Sequence, residues 1–246
     1  MVAARGAPST GQGVRQTADR REQERGTKAY DRPIYRKAAG ALLFLAGAVV
    51  LMGIITAEVL YPADYSTAGN TVSDLGGTRP SEGGVVLQPS ATVFDATMVV
   101  SGVMILAAAY GLQRAFGRRA VTIPTALLGL GVFGVGIFPG NTGLHPIFAL
   151  LAFVAGGLAA ILSYKVSASP LRYIVVGLGA IVLLMLVLGI LGAPQPDGMG
   201  LFGDAGPIAA LGPGGVERWV AYPVVLWLTA FGGYLMGPAH SEHPVT

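Results

Sequence analysis

The sequence predicts an all-α fold: an integral membrane bundle of six transmembrane helices with both termini in the cytoplasm. Three observations predict it. Of 246 residues, 12% are charged and 52% hydrophobic, with a mean hydropathy of +0.61; a soluble domain carries roughly twice that charge density. Six apolar runs approach or exceed the roughly 20 helical residues that a hydrocarbon core about 30 Å thick requires. Lysine and arginine concentrate on alternate connections, which is the pattern of loops retained in the cytoplasm.

The first run, 38–60, follows a basic tail at 1–37 expected to be disordered. It begins too far from the start, and runs too long, for a cleaved signal peptide. The second and third runs, 92–114 and 121–138, are separated by Arg114, Arg118 and Arg119, and Pro124 of the third lies in a first turn, where no intrahelical amide is lost. The fourth, 145–165, opens on His145-Pro146. The fifth and sixth, 171–192 and 216–236, flank a Gly/Pro-rich connection at 193–215, with turns expected at Asp197-Gly198 and Pro213-Gly214. The chain is thus divided into the tail, a six-helix domain at 38–237 and a short cytoplasmic tail at 238–246. The alternating pattern of an outer-membrane barrel is absent. Glycines at 136, 140, 156, 157, 177, 179, 232 and 233 are read as sites of close helix approach within the bundle.

Charge sets the orientation. The first tail, the second-to-third loop and the fourth-to-fifth loop hold fourteen of the sixteen basic residues, leaving Arg79 and Arg218 opposite. The tail alone has nine basic groups against four acidic ones. Its excess suits anionic lipid headgroups at about 1 kcal/mol per nearby cation. Membrane lipids are therefore the expected partners, the cell membrane is the expected location, and nucleic-acid recognition is not expected, because the tail has no aromatic residue before Tyr30 and no binding-module pattern. With no cysteine, thiolate metal sites, iron–sulfur clusters and cysteine nucleophiles are excluded. No Walker loop, dinucleotide fingerprint, zinc-protease helix, paired haem histidines or serine elbow is present. No cofactor or metal is expected.

Ionisable groups in a membrane segment are costly and need a partner or a wet cavity. Glu58 ends the first run, Asp95 lies one turn into the second, His145 opens the fourth, and Glu217 and Arg218 open the sixth. Asn70, Ser73 and Asp74 lie in the long first loop, and Tyr222 is one helical turn from Arg218. Six crossings place all of them at the outer boundary. One reading is an outward polar pocket roofed by residues 61–91, with Asp74, His145 and Glu58 as candidate acid/base groups and Asn70, Ser73, Asp95, Glu217, Arg218 and Tyr222 as candidate ligand contacts. The other is a hydrogen-bonded plug in which Arg218 neutralises Glu58, Asp74 or Asp95 and only holds helices in register. Ser73-Asp74 also suits a turn or cap, and His145 a helix start. His240 and His243 stand apart in the C-terminal tail, and Trp219 and Trp227 suit an interface and a packing position.

Three strings carry a family resemblance: EVLYPADYSTAGNTVSDLG at 58–76, IFPGNTGLHPIFALLAFVAGGLAAILSYKV at 137–166, and LGPGGVERWVAYPVVLWLTAFGGYLMG at 211–237. They resemble the signature of a prokaryotic multi-pass family known as domain of unknown function 998. Matched position by position, the resemblance points to Glu58, Tyr61, Pro62, Asn70, Ser73, Asp74, Gly76, His145, Glu217, Arg218, Tyr222 and Pro223 and implies no activity. The Ser-Asp-x-Gly stretch also resembles a loop of eukaryotic six-helix families related to autophagy modulators and lipid-anchor remodelling, an analogy that tilts toward lipid-related work.

Three functions fit the sequence: binding or processing a lipid or small ligand at the outer pocket, a non-catalytic scaffold or accessory subunit, and a transporter or channel. The last is disfavoured by the near-absence of polar residues from the third and fifth runs. Whether the protein is an enzyme, and its oligomeric state, are left open by the sequence. The orientation is directly testable in a chain without native cysteine. A cysteine introduced beside Asp197 should react with a membrane-impermeant maleimide in intact cells; labelling only after permeabilisation would reverse the topology.

Overall fold

A computed structural model describes the backbone of residues 10–62, 64–192 and 208–238, and side chains from Arg32 onward. Six long helices account for it: α1 (Thr10–Val59), α2 (Ser90–Phe116), α3 (Arg119–Ile137), α4 (His145–Leu162), α5 (Leu171–Gly192) and α6 (Gly212–Met236). Short 3₁₀ turns lie at Ser73–Leu75, Pro80–Glu82, Ser163–Val166 and Ala209–Leu211, and the described residues contain no strand. The stretches long and apolar enough to cross a membrane are Arg32–Val59, Ser90–Phe116, Arg119–Ile137, His145–Val166, Leu171–Gly192 and Ala209–Met236. These are the six runs read from the sequence. The third is shortest because its 19 residues rise about 1.5 Å each, which just matches a bilayer core.

Helical backbone starts at Thr10, upstream of the apolar run that begins near Ala38. The sixth helix also starts earlier than its hydropathy suggests. Pro213 and Gly214 do not form the expected turn; they lie in the first turn of α6, where proline forfeits no intrahelical hydrogen bond. The Asp197-Gly198 turn and the His240 and His243 positions lie outside the described residues.

Each helix packs on its neighbours in the chain, and α6 returns onto α1 to close a six-membered ring, with α4 and α6 also touching across it. Between hydrocarbon-like surfaces there is little hydrophobic gain from helix association, so the seams rely on close backbone approach at small residues. A Cβ on Gly232 would sit 2.5 Å from the Phe44 amide nitrogen of α1, one on Gly131 2.5 Å from that of Ala152 in α4, and one on Gly179 2.5 Å from the Gly157 carbonyl. Gly156 packs on Val224 in the same manner. Gly177 and Gly233 do not follow the pattern: both face open space.

Two apolar layers fill the ring. At the end where α6 finishes, Trp227 and Phe231 stack with centroids 5.7 Å apart among Leu43, Ile105, Leu112 and Leu128. The Trp227 indole N–H is satisfied by the Ser163 hydroxyl at 3.1 Å. Trp219, by contrast, is exposed on the helix exterior. At the other end Ile54, Leu75, Phe94 and Met98 form a second cluster beneath the long 60–89 connection. At the end where α6 finishes, Arg36 of α1 donates to the Gly237 carbonyl after α6 and Arg114 lies 5.1 Å above the Tyr35 ring.

The tightest contact of the loops is Gly140, whose Cβ would fall 1.9 Å from the Gly77 carbonyl oxygen. The loop between α3 and α4 therefore seals against the long loop through bare backbone. Gly140→Ala should destabilise the protein by about 1–3 kcal/mol through forced separation of the two loops, measured by denaturant or thermal unfolding in detergent. An unchanged midpoint would refute that contact.

Candidate functional site

The polar residues singled out by cost gather at the end of the ring where α6 starts, and all but Asp95 fall into two centres. The first is built around Arg218, which is 9% exposed. Its Nη2 donates to Glu58 Oε1 at 2.6 Å and to the Tyr65 hydroxyl at 2.6 Å. Its Nη1 donates to the carbonyls of Thr67 at 2.8 Å, Asn70 at 3.0 Å and Gly214 at 2.9 Å. The guanidinium also lies 5.6 Å over the Tyr65 ring. All terminal N–H groups are thereby committed, and one side chain joins the end of α1, the long loop and the start of α6.

The local sequence explains how the carbonyls reach it. Asn70 Oδ1 accepts the Ser66 N–H at 2.9 Å and Ser66 Oγ accepts the Gly69 N–H at 3.2 Å, tying 66–70 into a self-bonded turn. Asn70 thus contributes its side chain to the loop and its carbonyl to Arg218. That turn lands on glycines: a Cβ on Gly214 would be 2.1 Å from the Asn70 carbonyl oxygen, and Gly212 has φ +65°, which favours glycine. The Gly214 N–H donates to the Ala68 carbonyl at 2.9 Å, satisfying one of the amides that a helix start leaves open. Tyr65 keeps its proton, because burial pushes its phenol above the usual range against the pull of Arg218. It donates to the Thr71 carbonyl at 3.2 Å. Tyr222, one turn along α6, borders the same guanidinium.

The second centre faces inward. Thr71 and Asp74 bind each other reciprocally, Asp74 Oδ2 accepting the Thr71 N–H at 2.7 Å and Thr71 Oγ1 accepting the Asp74 N–H at 3.2 Å. This is the geometry of a capping box around the Ser73–Leu75 turn. It accounts for Asp74 as a shaping residue, buried at 7% exposure. The turn presents the Ser73 hydroxyl, which donates to Glu217 Oε1 at 2.7 Å, and Thr71 lies beside that carboxylate. His145 and Asp74 are its ionisable neighbours. The His145 ring, 6% exposed, bonds through Nδ1 to the Phe138 carbonyl at 2.8 Å. A carbonyl only accepts, so Nδ1 carries the proton, while Nε2 is buried without a partner.

Asp95 joins neither centre. Its Oδ1 is buried without a hydrogen-bond partner, packed against Gly76, where an added Cβ would lie 2.7 Å away. Among the described residues no three of His, Asp and Glu converge as a metal site.

Beneath Ser73 and Glu217 lies an apolar cavity of about 80 Å³ bounded by α1, α2, α3, α4 and α6. Its walls include Ile54, Phe94, Val135, Ala149, Ala221 and Val225. Glu217, Ala221, Val224, Val225 and Leu228 all line it, a spacing that puts them on one helical face. Arg218 points off that face toward α1 and the loop.

Sequence reasoning missed Tyr65, Thr67 and Thr71. Two of these act through backbone carbonyls, which every residue possesses. The only available signal was the Thr-x-x-Asp spacing at 71–74.

Six apolar helices of crossing length, with an ionic and hydrogen-bonded centre at one end, define a bundle of the multi-pass membrane type. Within that class the chain belongs to the family described as "Protein of unknown function (DUF998)", whose model matches residues 44–234. No curated protein and no solved structure matches it.

Removing Arg218 strands the Glu58 carboxylate and three carbonyls, whereas removing the charge of Glu58 leaves the guanidinium its other acceptors. Arg218→Gln should cost about 3–5 kcal/mol, and Glu58→Gln and Asp74→Asn about 1–2 kcal/mol each, read from unfolding midpoints. Equal losses for Arg218→Gln and Glu58→Gln would show that the pair, rather than the carbonyl cradle, dominates.

Proposed function

We propose that the protein resides in the cell membrane with its basic end in the cytoplasm, and that the opposite end binds a small amphiphilic ligand, polar part at Ser73, Glu217 and His145, apolar part in the cavity below. The observation that carries this reading is the cavity itself. It is walled by apolar side chains and ends on a carboxylate and a hydroxyl, the combination of apolar volume and few polar groups that characterises small-molecule sites. The fourteen basic residues on one set of connections support the orientation.

The geometry narrows the residues that serve this role. Arg218, expected to meet an anionic headgroup, has its terminal donors occupied by Glu58, Tyr65 and three carbonyls. Asn70 and Asp74 are spent on loop structure. Glu217 and His145 retain unused capacity, so they are the ligand contacts in this proposal, with Glu217 on the cavity wall. A volume of about 80 Å³ is roughly half that of a cavity known to hold benzene. The buried portion of a ligand is accordingly short.

The second reading, a non-catalytic scaffold or accessory subunit, draws on the commitment of both terminal nitrogens of Arg218 to protein acceptors, since a cation bonded in that way acts as a fastener. A transport pathway is the weakest, because apart from Ser73 and Glu217 the cavity wall is apolar, and a polar solute needs polar groups through the midplane.

Filling the hollow distinguishes the readings. Ala221→Leu adds three carbons to the cavity wall. The variant should fold with an unfolding temperature within a few degrees of the parent and should lose a bound small molecule detected by native mass spectrometry of protein purified from its own membrane. A bound mass unaffected by Ala221→Leu, or no bound mass in the parent, would overturn the binding reading in favour of the scaffold.

A further inference from the structure

We infer that the site takes a cationic ligand, a small aliphatic amine whose ammonium lies between the Glu217 carboxylate and His145 Nε2 and whose short alkyl part enters the cavity. The inference rests on the binding reading above and adds the ligand's charge and hydrogen-bonding sense.

It follows from what each group at the polar end of the cavity can still do. Glu217 accepts a hydrogen bond from Ser73, a neutral hydroxyl. The ion pair of this region is Arg218 with Glu58, and among the described residues no cation forms a salt bridge with Glu217. A carboxylate on an apolar wall with no countercharge is unfavourable, and a ligand that supplies the countercharge removes that penalty. An anionic ligand would face the charge of Glu217, and the terminal nitrogens of Arg218 are already bonded elsewhere.

His145 points to the same ligand chemistry independently. Its ring is fixed by the bond from Nδ1 to the Phe138 carbonyl. In the neutral ring Nε2 is then an acceptor, and it is buried with nothing to accept from. His145 lies four residues before Ala149 on α4 and seven before Ala152, both of which line the cavity, so it sits one turn above them on the same face. Glu217 therefore lines the polar end of the cavity on α6, His145 lies one turn from the cavity wall on α4, and among the described residues no salt bridge joins them. An ammonium group offers several N–H donors and a positive charge, and matches both. A hydroxyl offers one donor and no charge.

Size limits the alkyl part. Against the benzene-holding cavity of roughly 150 Å³, about 80 Å³ accommodates about three or four carbons. A full lipid acyl chain exceeds that volume.

The experiment uses the full chain in detergent micelles, with n-butylammonium, n-butanol and n-butyrate as probes of one chain length and three charge states. Binding is read by isothermal titration and by ligand-dependent unfolding temperature. n-Butylammonium should bind at least tenfold more tightly than n-butanol, with n-butyrate weakest, and Glu217→Gln should remove the preference for the ammonium while keeping n-butanol binding. Equal affinity for n-butylammonium and n-butanol would sink the cationic inference and leave the cavity reading standing. Tighter n-butyrate binding would overturn it outright. No binding of any probe, together with an Ala221→Leu variant indistinguishable from the parent, would remove the binding reading as well. Should Glu217→Gln fail to fold, the ranking of the three probes on the unaltered protein decides the question alone.

Discussion

The arrangement of this molecule depends on the discharge of one buried guanidinium. Arg218 has too many donors to be left unpaired among apolar helices, where each unsatisfied polar group carries a large penalty. A single carboxylate does not exhaust those donors. The structure supplies Glu58 and Tyr65 on one nitrogen and three backbone carbonyls on the other. Because those acceptors come from α1, the long loop and α6, meeting the needs of Arg218 closes the ring and fixes the loop at once. The glycines at 212 and 214 are part of the same solution, since any side chain there would hold the carbonyls away.

A fixed loop in turn places the second centre. Thr71 and Asp74 lock the Ser73–Leu75 turn, and that turn holds a hydroxyl against Glu217 at the top of the cavity. Neighbouring residues on α6 thus have different duties. Successive positions on a helix are about 100° apart, so Glu217 and Arg218 cannot share a face. One meets the interior and the other meets α1. Of the partners the sequence left open for Arg218, Glu58, Asp74 and Asp95, the structure pairs it with Glu58, and among the described residues no salt bridge reaches Glu217. That division connects fold stability to the proposed binding chemistry: the cation is consumed in holding the bundle, which leaves an acceptor site.

Much of the site was legible because charge is rare here. With 12% charged residues, each ionisable group in an apolar run demands a reason, and that cost alone selected Glu58, His145, Glu217 and Arg218. Their roles were not legible. Asp74 reads from its chemistry as a potential acid or base and is occupied by the Thr71 amide. Asn70 reads as a ligand contact and serves through its carbonyl and a local turn. Asp95 lies at the same level as the others and packs against Gly76 instead. Tyr65 and Thr67 escaped notice because a phenol in a loop and a backbone carbonyl carry no distinguishing signal.

By itself the sequence determined the class of structure: six apolar helices, their approximate limits, and the end of the bundle at which the polar residues collect. These are one-dimensional quantities. Run length follows from the thickness of a bilayer, and the level of a residue follows from counting crossings. Which polar groups touch was decided only in three dimensions, because partner choice depends on the rotation of each helix about its axis and on the path of the long loop. The sequence placed Glu58, Glu217 and Arg218 at one level; tertiary packing chose Glu58 as the partner of Arg218 and turned Glu217 toward the cavity.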